Sequence, residues 1–466
     1  MEALRANADA VQAWTRFNWL SHPALDRPRT VESFGVGYMR KVNWGLSGVL
    51  LAALGAFATS TVAEETKPSP FPSRLAQAIT PLDVNPNGLS GAGALVLSKA
   101  VATSRYVLIG ESHMSREIPA FTTQICRLMA PSGLTAMAIE TGPEAARVVD
   151  SAMRSVDRET RIADFTSTHP DSIAFFNGRD EVRMAGDCAA TAGPDFQLWG
   201  LDQEFLGSSG HLLEEMLASE PGPLARAALT GLAARDREAT VAALASGSPV
   251  DLFLLSAKQG DLDQAAVAVA QDGGARVRYL FGLLTETRAI YQGSQSGQGD
   301  PNGRRARLMK RTFAAHLAEN PGARVLMKFG AYHVYKSINP LNQRDLGAYV
   351  AERAEGEGVS ALHIMVLGAR GSEAGYGGVG RPSVVHSFDM MDEKDPDWRK
   401  DAALARAASA APGSWMLVDL RTLRTKDVLA SAPPEWRDLA LGYDIALLAP
   451  TLSATSRLGG EKAATP

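Results

Sequence analysis

Several features that mark common protein classes are missing from this chain of 466 residues. With only two cysteines, it lacks the cysteine clusters of structural zinc sites. It carries a net charge of −4 and no basic stretch interleaved with aromatic residues, so nothing indicates a nucleic-acid surface. It also has no internal repeat. These absences favour a small-molecule substrate over a nucleic acid as the partner, and the sequence indicates no oligomeric state.

Familiar catalytic signatures are absent as well. The chain has no G-x-S-x-G elbow and no H-E-x-x-H, which argues against an ordinary serine hydrolase and against the common zinc protease motif. The glycine-rich stretch Gly368–Pro382 has no G-x-G-x-x-G placed between a strand and a helix. We therefore interpret it as a mobile loop and not as a nucleotide cradle.

The N-terminal region has the layout of a secretory signal peptide. Arg40 and Lys41 precede an apolar run of 14 residues, Gly45–Ala58, and small-residue cleavage sites end at Ala58 and Ala63. A bilayer-spanning helix needs about 20 apolar residues, so this run is too short. We predict a signal peptide over residues 39–63, with residues 1–38 as a non-native upstream extension. The mature protein should be periplasmic or secreted, with no stable membrane anchor after cleavage; the alternative is an uncleaved amphipathic anchor.

The two cysteines, Cys126 and Cys188, are predicted to form a disulfide, because an exported chain folds in an oxidising compartment. The alternative is a pair of buried free thiols.

The remaining chain has globular composition, with 45% hydrophobic and 21% charged residues. We expect a linker over residues 64–72, one α/β domain over 73–454 with a helical insertion over 205–275, and a disordered tail over 455–466. The insertion is either a lid or a set of ordinary connecting helices. Short apolar runs alternate with helix-length segments, which predicts a mostly parallel central sheet with helices on both faces. The predicted strands are Tyr106–Ile109, Thr135–Ile139, Gln197–Leu201, Arg324–Phe329, Leu362–Leu367, Trp415–Val418 and Asp444–Leu448.

Ionisable residues follow four of these strands. The carboxyl ends of parallel strands meet at one edge of a sheet, where ligands bind in α/β folds. Such a cluster shifts pKa values for chemistry or holds a cation. Arg304 or Arg307 should reach the same edge from the preceding helix and bind a substrate carboxylate or an oxyanion. The residues that follow the strands are Glu111, His113, Glu117, Glu140, Asp202, Glu204 and His333.

Each of these residues also has a structural interpretation. Glu140 and Asp202 are suited to cap the helices that follow them, and His333 to a core position. His113 stands out because carboxylates flank it on both sides, at Glu111 and Glu117. It is suited to proton transfer, or to metal binding. A divalent metal such as zinc or manganese, if present, would be held by Glu111, His113, Glu140 and His333.

Several motifs together resemble the erythromycin esterase-like family. GESHMSRE is similar to that family's GE-x-H-x-x-x-E signature, AIET to its second acidic motif, and WGLDQE to its G-x-D segment. RRARLMKRTF followed by VLMKFGAYHV is similar to its Arg-x-x-x-Met helix and the next strand, and GYDIALLAP to its last strand. The chain departs from the family at Gly330, where the later motif of the esterases carries a histidine.

The resemblance implies an α/β hydrolase that acts on an ester or related carbonyl. His113 would activate water, Glu111 and Glu140 would orient it, and His333 would be a second polar group at the carbonyl. Glu117, Asp202, Glu204, Arg304 and Arg307 would contact the substrate. The wider superfamily contains haem-binding lipoproteins and Tiki- and TraB-type proteases. Two alternatives therefore remain: a non-catalytic haem or iron-chelate binding protein that uses Tyr332 and His333, and a metal-dependent peptidase.

Overall fold

The computed structural model describes residues 69–392 and 413–459. The predicted signal peptide and upstream extension lie outside these residues. The described chain builds a nine-stranded sheet in the order β2-β1-β10-β11-β7-β3-β6-β4-β5, and a separate two-stranded sheet, β8-β9. The strands are β1 (Ile79–Asn85), β2 (Gly88–Ser90), β3 (Tyr106–Glu111), β4 (Leu134–Ile139), β5 (Gln197–Gly200), β6 (Arg324–Gly330), β7 (Ala361–Gly368), β8 (Arg370–Gly375), β9 (Val384–Asp389), β10 (Trp415–Asp419) and β11 (Ile445–Ala449).

The helices, numbered along the chain, are α1 (Pro70–Ala78), α2 (Ala92–Thr103), α3 (Glu117–Met129), α4 (Pro143–Met153), α5 (Arg158–Thr168), α6 (Arg179–Ala192), α7 (Ser209–Ala218), α8 (Pro223–Ser246), α9 (Phe253–Ser256), α10 (Gln259–Asp272), α11 (Gly274–Ser296), α12 (Pro301–Glu319), α13 (Leu346–Gly356), α14 (Lys426–Ser431) and α15 (Pro434–Gly442).

The sheet is mostly parallel, as the sequence predicts. The consecutive pairs from β11 to β5 are all parallel, whereas β1, β2 and β10 form antiparallel pairs at one side. Strand β3 lies in the middle and is buried at every position. A strand covered on both faces needs a continuous apolar run, and Tyr106–Ile109 supplies it. The seven strands predicted from the sequence are all present in the central sheet.

Helices cover both faces of the sheet. One buried cluster joins Ile109 and Ile139 of the sheet to helices α2 to α6. The other joins Leu108 and Met327 to α1, α12, α13, α14 and α15. Alternate strand residues point to opposite faces, so each buried strand contributes to both cores. The predicted α/β architecture is therefore confirmed.

Helices α7 to α11 form a third apolar cluster of their own, which includes Leu212, Leu229 and Leu280. This region contains the segment 205–275 that the sequence marks as helical. Helix α8 begins with Pro223 at its first position, where the missing N–H costs nothing, and ends at Gly247 with a left-handed φ of 74°. Local sequence signals thus set both ends of the longest of these helices.

Three parts of the fold differ from the sequence expectations. The glycine-rich stretch is not only a loop, because Arg370–Gly375 pairs with Val384–Asp389. The proline-rich linker ends earlier than expected, since helix α1 begins at Pro70. Residues 455–459, expected in a disordered tail, lie against the domain instead: Thr455 and Leu458 are buried, and the Leu458 N–H donates to the carbonyl of Asn177 at 2.7 Å.

The predicted disulfide between Cys126 and Cys188 is present, with the two Cα atoms 5.5 Å apart. It joins α3 to α6 within the core on one face of the sheet. No helix among the described residues is long and apolar enough to cross a membrane.

Candidate active site at the carboxyl ends of the parallel strands

Four neighbouring strands bring their polar ends together. In the order β3-β6-β4-β5, strand β3 ends at Glu111 and β6 ends at Gly330. Glu140 directly follows β4, and Asp202 follows β5. All four strands are parallel, so these residues lie at the same edge of the sheet. We refer to this group and the side chains that contact it as the rim cluster.

His113 is held between two carboxylates of the rim cluster. Its Nδ1 lies 2.8 Å from Oε1 of Glu111, and its Nε2 lies 3.3 Å from Oε2 of Glu140. Nε2 makes no hydrogen bond within the described residues. At 9% exposure, His113 is more exposed than the charged side chains around it, Glu111, Glu140 and His333. It is therefore the group best placed to meet a molecule from solvent.

The face of the His113 ring is covered by Phe175. The two rings are stacked, with their centroids 3.8 Å apart and an interplanar angle of 14°. Phe175 and Met114, the residue that follows His113, have left-handed φ values of 58° and 65°. Bulky residues rarely adopt this conformation, and such strain concentrates at functional sites. The residue that follows His113 and the residue that stacks on its ring thus both have an unfavourable backbone conformation.

Gly330 lets the end of β6 approach the Nε2 of His113 closely. A Cβ atom at residue 330 would lie 2.9 Å from His113 Nε2 and 3.3 Å from Glu140 Oε2. The Gly330 N–H also donates to Glu140 Oε2 at 2.5 Å. The position where the family's later motif has a histidine therefore lies directly against His113, and here it carries no side chain.

Glu140 is the centre of the cluster. Its Oε1 accepts a hydrogen bond from Arg305 at 2.7 Å and lies 3.4 Å from Nε2 of His333. Arg305 also binds Asp202 in a bidentate manner, with Nε 2.8 Å from Oδ1. Nδ1 of His333 lies 2.8 Å from Oδ2 of Asp345. The planar guanidinium of Arg305 thus joins two strand ends through their carboxylates.

A buried lysine completes the cluster from within the sheet. Lys328, in the middle of β6, donates to Oε1 of Glu111 and, at 2.9 Å, to Oε1 of Glu181 on α6. All three side chains are fully buried. Buried charges persist in this way only when each has a partner.

The charged surroundings shift the pKa values of both histidines upward. Burial alone would lower the pKa of His113, but Glu140 and Glu111 outweigh it and raise that pKa to about 9. Burial is likewise outweighed at His333, where Asp345 and Glu140 raise the pKa to about 10. Both imidazoles are therefore mainly protonated at neutral pH.

The same contacts lower the pKa values of the two carboxylates next to His113, Glu140 and Glu111. Burial opposes ionisation of Glu140, but His333, His113 and Arg305 hold its pKa well below the usual range. The pKa of Glu111 is lowered despite burial, mainly by Lys328. Burial dominates at Glu181, whose pKa rises to about 7.

The cluster does not fit a divalent metal. Within residues 69–392 and 413–459, no group of three or more His, Cys, Asp or Glu side chains is arranged to hold a metal ion. Glu111 and Glu140, two carboxylates that the sequence suggested as ligands, already contact Lys328 and Arg305. Those cations occupy the place that a metal charge would take.

His333 is also poorly placed to bind haem iron. It is buried, and its Nε2 faces Glu140 while its Nδ1 faces Asp345. An axial ligand needs one ring nitrogen directed at the iron. This environment favours an ion-pair role for His333.

Several predicted substrate contacts lie elsewhere. Arg304 and Arg307 are on the outer side of α12, where they bind Glu286 and Asp300. The residue between them, Arg305, enters the cluster instead, because it lies on the buried face of the helix with Met309 and Phe313. The spacing Arg305–Met309 also fits the Arg-x-x-x-Met pattern. That spacing could have identified Arg305 from the sequence.

Glu117 and Glu204 serve local structure. Oε2 of Glu117 accepts a hydrogen bond from the N–H of Ser453 at 2.7 Å. Glu204 accepts hydrogen bonds from the N–H groups of Glu144 and Ala145 at the start of α4, at 2.7 and 3.3 Å. Burial raises the pKa of Glu204 to about 8. The helix-capping role expected of Glu140 or Asp202 thus falls to Glu204.

Comparisons with known proteins address the fold. No protein-family model matches the chain, and no curated protein sequence does. Among solved structures, a mutant of the erythromycin esterase EreC in its open conformation superposes with a TM-score of 0.55 and 13% identity, over 82% of this chain and 99% of that one. A Bacillus cereus protein gives 0.51 at 13% identity, over 83% and 98%, and a succinoglycan biosynthesis protein gives 0.50 at 13%, over 82% and 97%.

These neighbours establish the class of fold. The chain has the erythromycin esterase-like α/β fold, which confirms the fold that the motifs predicted. At 13% identity the likeness reaches no further than the fold, so the chemistry has to be argued from the rim cluster.

Proposed function

We propose that this protein is a hydrolase in which His113 activates water against an ester or related carbonyl. The observation that carries the proposal is the position of His113, between Glu111 and Glu140 at the carboxyl ends of the strands, with Nε2 free of hydrogen bonds within the described residues. A polar network of this kind at the strand ends is the usual place for catalysis in α/β folds.

The arrangement supports a balanced proton cycle. In neutral His113, Nδ1–H donates to Glu111, which leaves the lone pair on Nε2. Nε2 takes a proton from water as the water oxygen bonds to the carbonyl carbon. The tetrahedral intermediate then expels the leaving oxygen, which receives the same proton from Nε2. The products are a carboxylic acid and an alcohol, and His113 returns to its neutral form.

Glu140 would stabilise the imidazolium that forms in the first step. It lies 3.3 Å from Nε2 and stays ionised because Arg305 and His333 hold it from the other side. Arg305 and His333 are therefore proposed as positioning residues that act through Glu140. We propose no particular ester, and no macrolide, because Gly330 replaces a histidine of the esterase motif.

The first test replaces His113 with Gln and compares turnover of 4-nitrophenyl esters with wild type. Loss of a positioned general base should lower kcat by roughly 10²–10⁴-fold. The matched control is His316→Gln on α12, where the histidine stacks on Trp199 at 4.7 Å, away from the rim cluster. The control should keep wild-type kcat. Equal activity in both variants would contradict the proposal, provided circular dichroism shows both to be folded.

We also propose that the mature protein works outside the cytoplasm. The disulfide supports this, because such bonds persist in oxidising compartments, and so does the signal-peptide layout of residues 39–63. N-terminal sequencing of protein from the native host should give a start after Ala58 or Ala63. An intact segment on cytoplasmic protein would contradict this.

A further inference from the structure

A small surface cleft lies next to the rim cluster and is not explained by the proposed chemistry. Asp171 and Asn177 line one side of it, Arg381 and Ser383 another, and Arg457 a third. The loop that carries Asp171 and Asn177 also carries Phe175, which covers His113.

The C-terminal segment that carries Arg457 also reaches His113. The N–H of Thr455 donates to the carbonyl of Met114, the residue after His113, at 3.0 Å. Cleft and rim cluster therefore share two segments of chain, and a ligand in the cleft would lie beside the proposed reaction centre.

Arg457 is unusually placed for an arginine. Its side chain is only 13% exposed, and it makes no side-chain hydrogen bond to any residue in the described ranges. Its nearest carboxylate oxygen, Oδ1 of Asp171, is 3.9 Å away, and its guanidinium lies over the ring of Tyr376 at 5.3 Å. A guanidinium has five N–H donors, and those of Arg457 make no hydrogen bond to another described side chain, so they are available to a ligand in the cleft. A ligand that supplies oxygen acceptors would satisfy them.

Two further polar groups of the cleft lack partners. Asn177 is 5% exposed, and its Oδ1 accepts no hydrogen bond from the described residues. Oγ of Ser383 likewise makes no hydrogen bond with the described residues. Buried polar groups are nearly always hydrogen-bonded, so such a group at a cleft wall marks a place for a ligand. Asn177 is well suited, because a side-chain amide can present either an acceptor or a donor.

The charges of the cleft select the kind of ligand. Arg457 faces one carboxylate, Asp171, which already accepts a hydrogen bond from the Tyr376 hydroxyl at 2.7 Å. Arg381, which donates to the carbonyl of Ala245 at 3.1 Å, adds a second positive charge to the lining of the cleft. The excess of positive charge, together with unsatisfied donors, favours an oxyanion. Planar guanidinium and carboxylate groups match in geometry.

We infer that this cleft binds a carboxylate of the substrate, held by Arg457 and Asn177. The substrate is then an anionic ester whose carbonyl reaches His113 while its carboxylate stays in the cleft. The link to hydrolysis rests on the proposed function, whereas carboxylate binding does not.

Binding is tested first, by calorimetric titration with glutaric acid monoanilide, a carboxylate-bearing amide, and with butyranilide as its neutral counterpart. Wild type should bind the carboxylate probe and not the neutral one. Arg457→Gln should weaken binding at least tenfold, and Arg457→Lys, which keeps the charge but loses the planar fork, should weaken it less. Arg311→Gln is the matched control, because Arg311 lies on α12 beside Glu286, and it should bind as wild type does. Absence of binding to wild type, or equal binding by a folded Arg457→Gln variant, would overturn the inference.

Turnover separates the two proposals. Arg457→Gln should raise KM for mono-(4-nitrophenyl) glutarate more than tenfold, and far more than it changes KM for 4-nitrophenyl butyrate. Arg311→Gln should leave both KM values as in wild type. If both esters are hydrolysed and Arg457→Gln has the same KM values as wild type, the cleft inference fails while the hydrolase proposal stands. If the probe binds and neither ester is hydrolysed, the cleft inference stands and the hydrolase proposal fails.

Discussion

At the scale of single residues, the missing side chain of Gly330 is central to the site. Its backbone, with φ −54° and ψ 144°, is open to any residue, so its conformation does not require glycine. What requires glycine is the closeness of His113 Nε2 and Glu140 Oε2. The absence of a Cβ lets the end of β6 pack directly against His113 and Glu140.

Gly330→Ala should therefore lower kcat on 4-nitrophenyl esters at least tenfold. The added Cβ would lie 2.9 Å from Nε2, which forces the ring or β6 to shift and displaces His113 from its place between Glu111 and Glu140. Overpacking of this kind typically costs about 1–3 kcal/mol of stability, which urea unfolding would measure.

The matched control is Gly282→Ala, in the interior of α11, where an added Cβ meets nothing within 4 Å. It should leave kcat unchanged and raise the free energy of unfolding by up to about 1 kcal/mol, because alanine favours a helix more than glycine. Wild-type kcat in a folded Gly330→Ala variant would contradict the claim that turnover needs this placement of His113.

Residue-scale prediction from the sequence succeeded where a residue directly follows a strand. Glu111, His113, Glu140 and Asp202 meet as the parallel order requires. The prediction that Arg304 or Arg307 reaches the rim was wrong, because neighbouring positions on a helix face in different directions. The apolar stripe of Met309 and Phe313 continues to the position four residues earlier, so helical phase would have selected Arg305.

At the scale of elements, β6 provides both the backbone of the site and a buried charge. Its run Arg324–Gly330 reads as an apolar strand interrupted by Lys328. A lysine within a buried strand needs carboxylates, and it finds them in Glu111 and in Glu181 of α6. Strand β3, strand β6 and helix α6 are thus held in register by one ammonium group.

Lys328→Met should lower the free energy of unfolding by about 3–5 kcal/mol, because it leaves Glu181 buried without a cation. The double variant Lys328→Met, Glu181→Gln should be more stable than the single variant, since only one of the two carboxylates that contact Lys328, Glu111, then remains without it. Urea unfolding at pH 7 measures both. A single variant within about 1 kcal/mol of wild type would show that the lysine does not compensate these carboxylates.

The strands from β11 to β5 were predictable from the sequence, whereas β1 and β8 were not. Strands buried on both faces need continuous apolar runs, which the sequence displays clearly. Strand β1 is half exposed. Strand β8 is mostly polar, and its second and last residues are glycines. Neither strand therefore shows a strong hydrophobic pattern. Strand β1 pairs with Trp415–Val418, which is distant in the chain. Strand β8 pairs with the next strand, Val384–Asp389, after a loop that contains several glycines and shows no short turn signal.

At the scale of the whole molecule, the rim cluster forms a closed set of charges. Four carboxylates, Glu111, Glu140, Asp202 and Asp345, face four cations when both histidines are protonated. The remaining member, Glu181, titrates at about pH 7. Lys328 and Glu181 lie 147 residues apart in the chain, so no local pattern could reveal their contact. Only the folded chain shows that each ionisable group at the rim has a counterpart.

This charge balance makes the pH dependence of turnover the most direct test of the central claim, that neutral His113 takes a proton from water. The pKa of His113 is raised to about 9, so the neutral form is a minor fraction at pH 7 and grows about tenfold per pH unit until that value.

The measurement is kcat/KM on 4-nitrophenyl butyrate from about pH 6 to pH 10, corrected for spontaneous hydrolysis, for wild type and His113→Gln. The account predicts that the wild-type value rises with pH and levels off near pH 9, while the variant stays low and lacks that rise. A wild-type value that falls as the pH passes 9, or a variant with the same profile as wild type, would contradict the account.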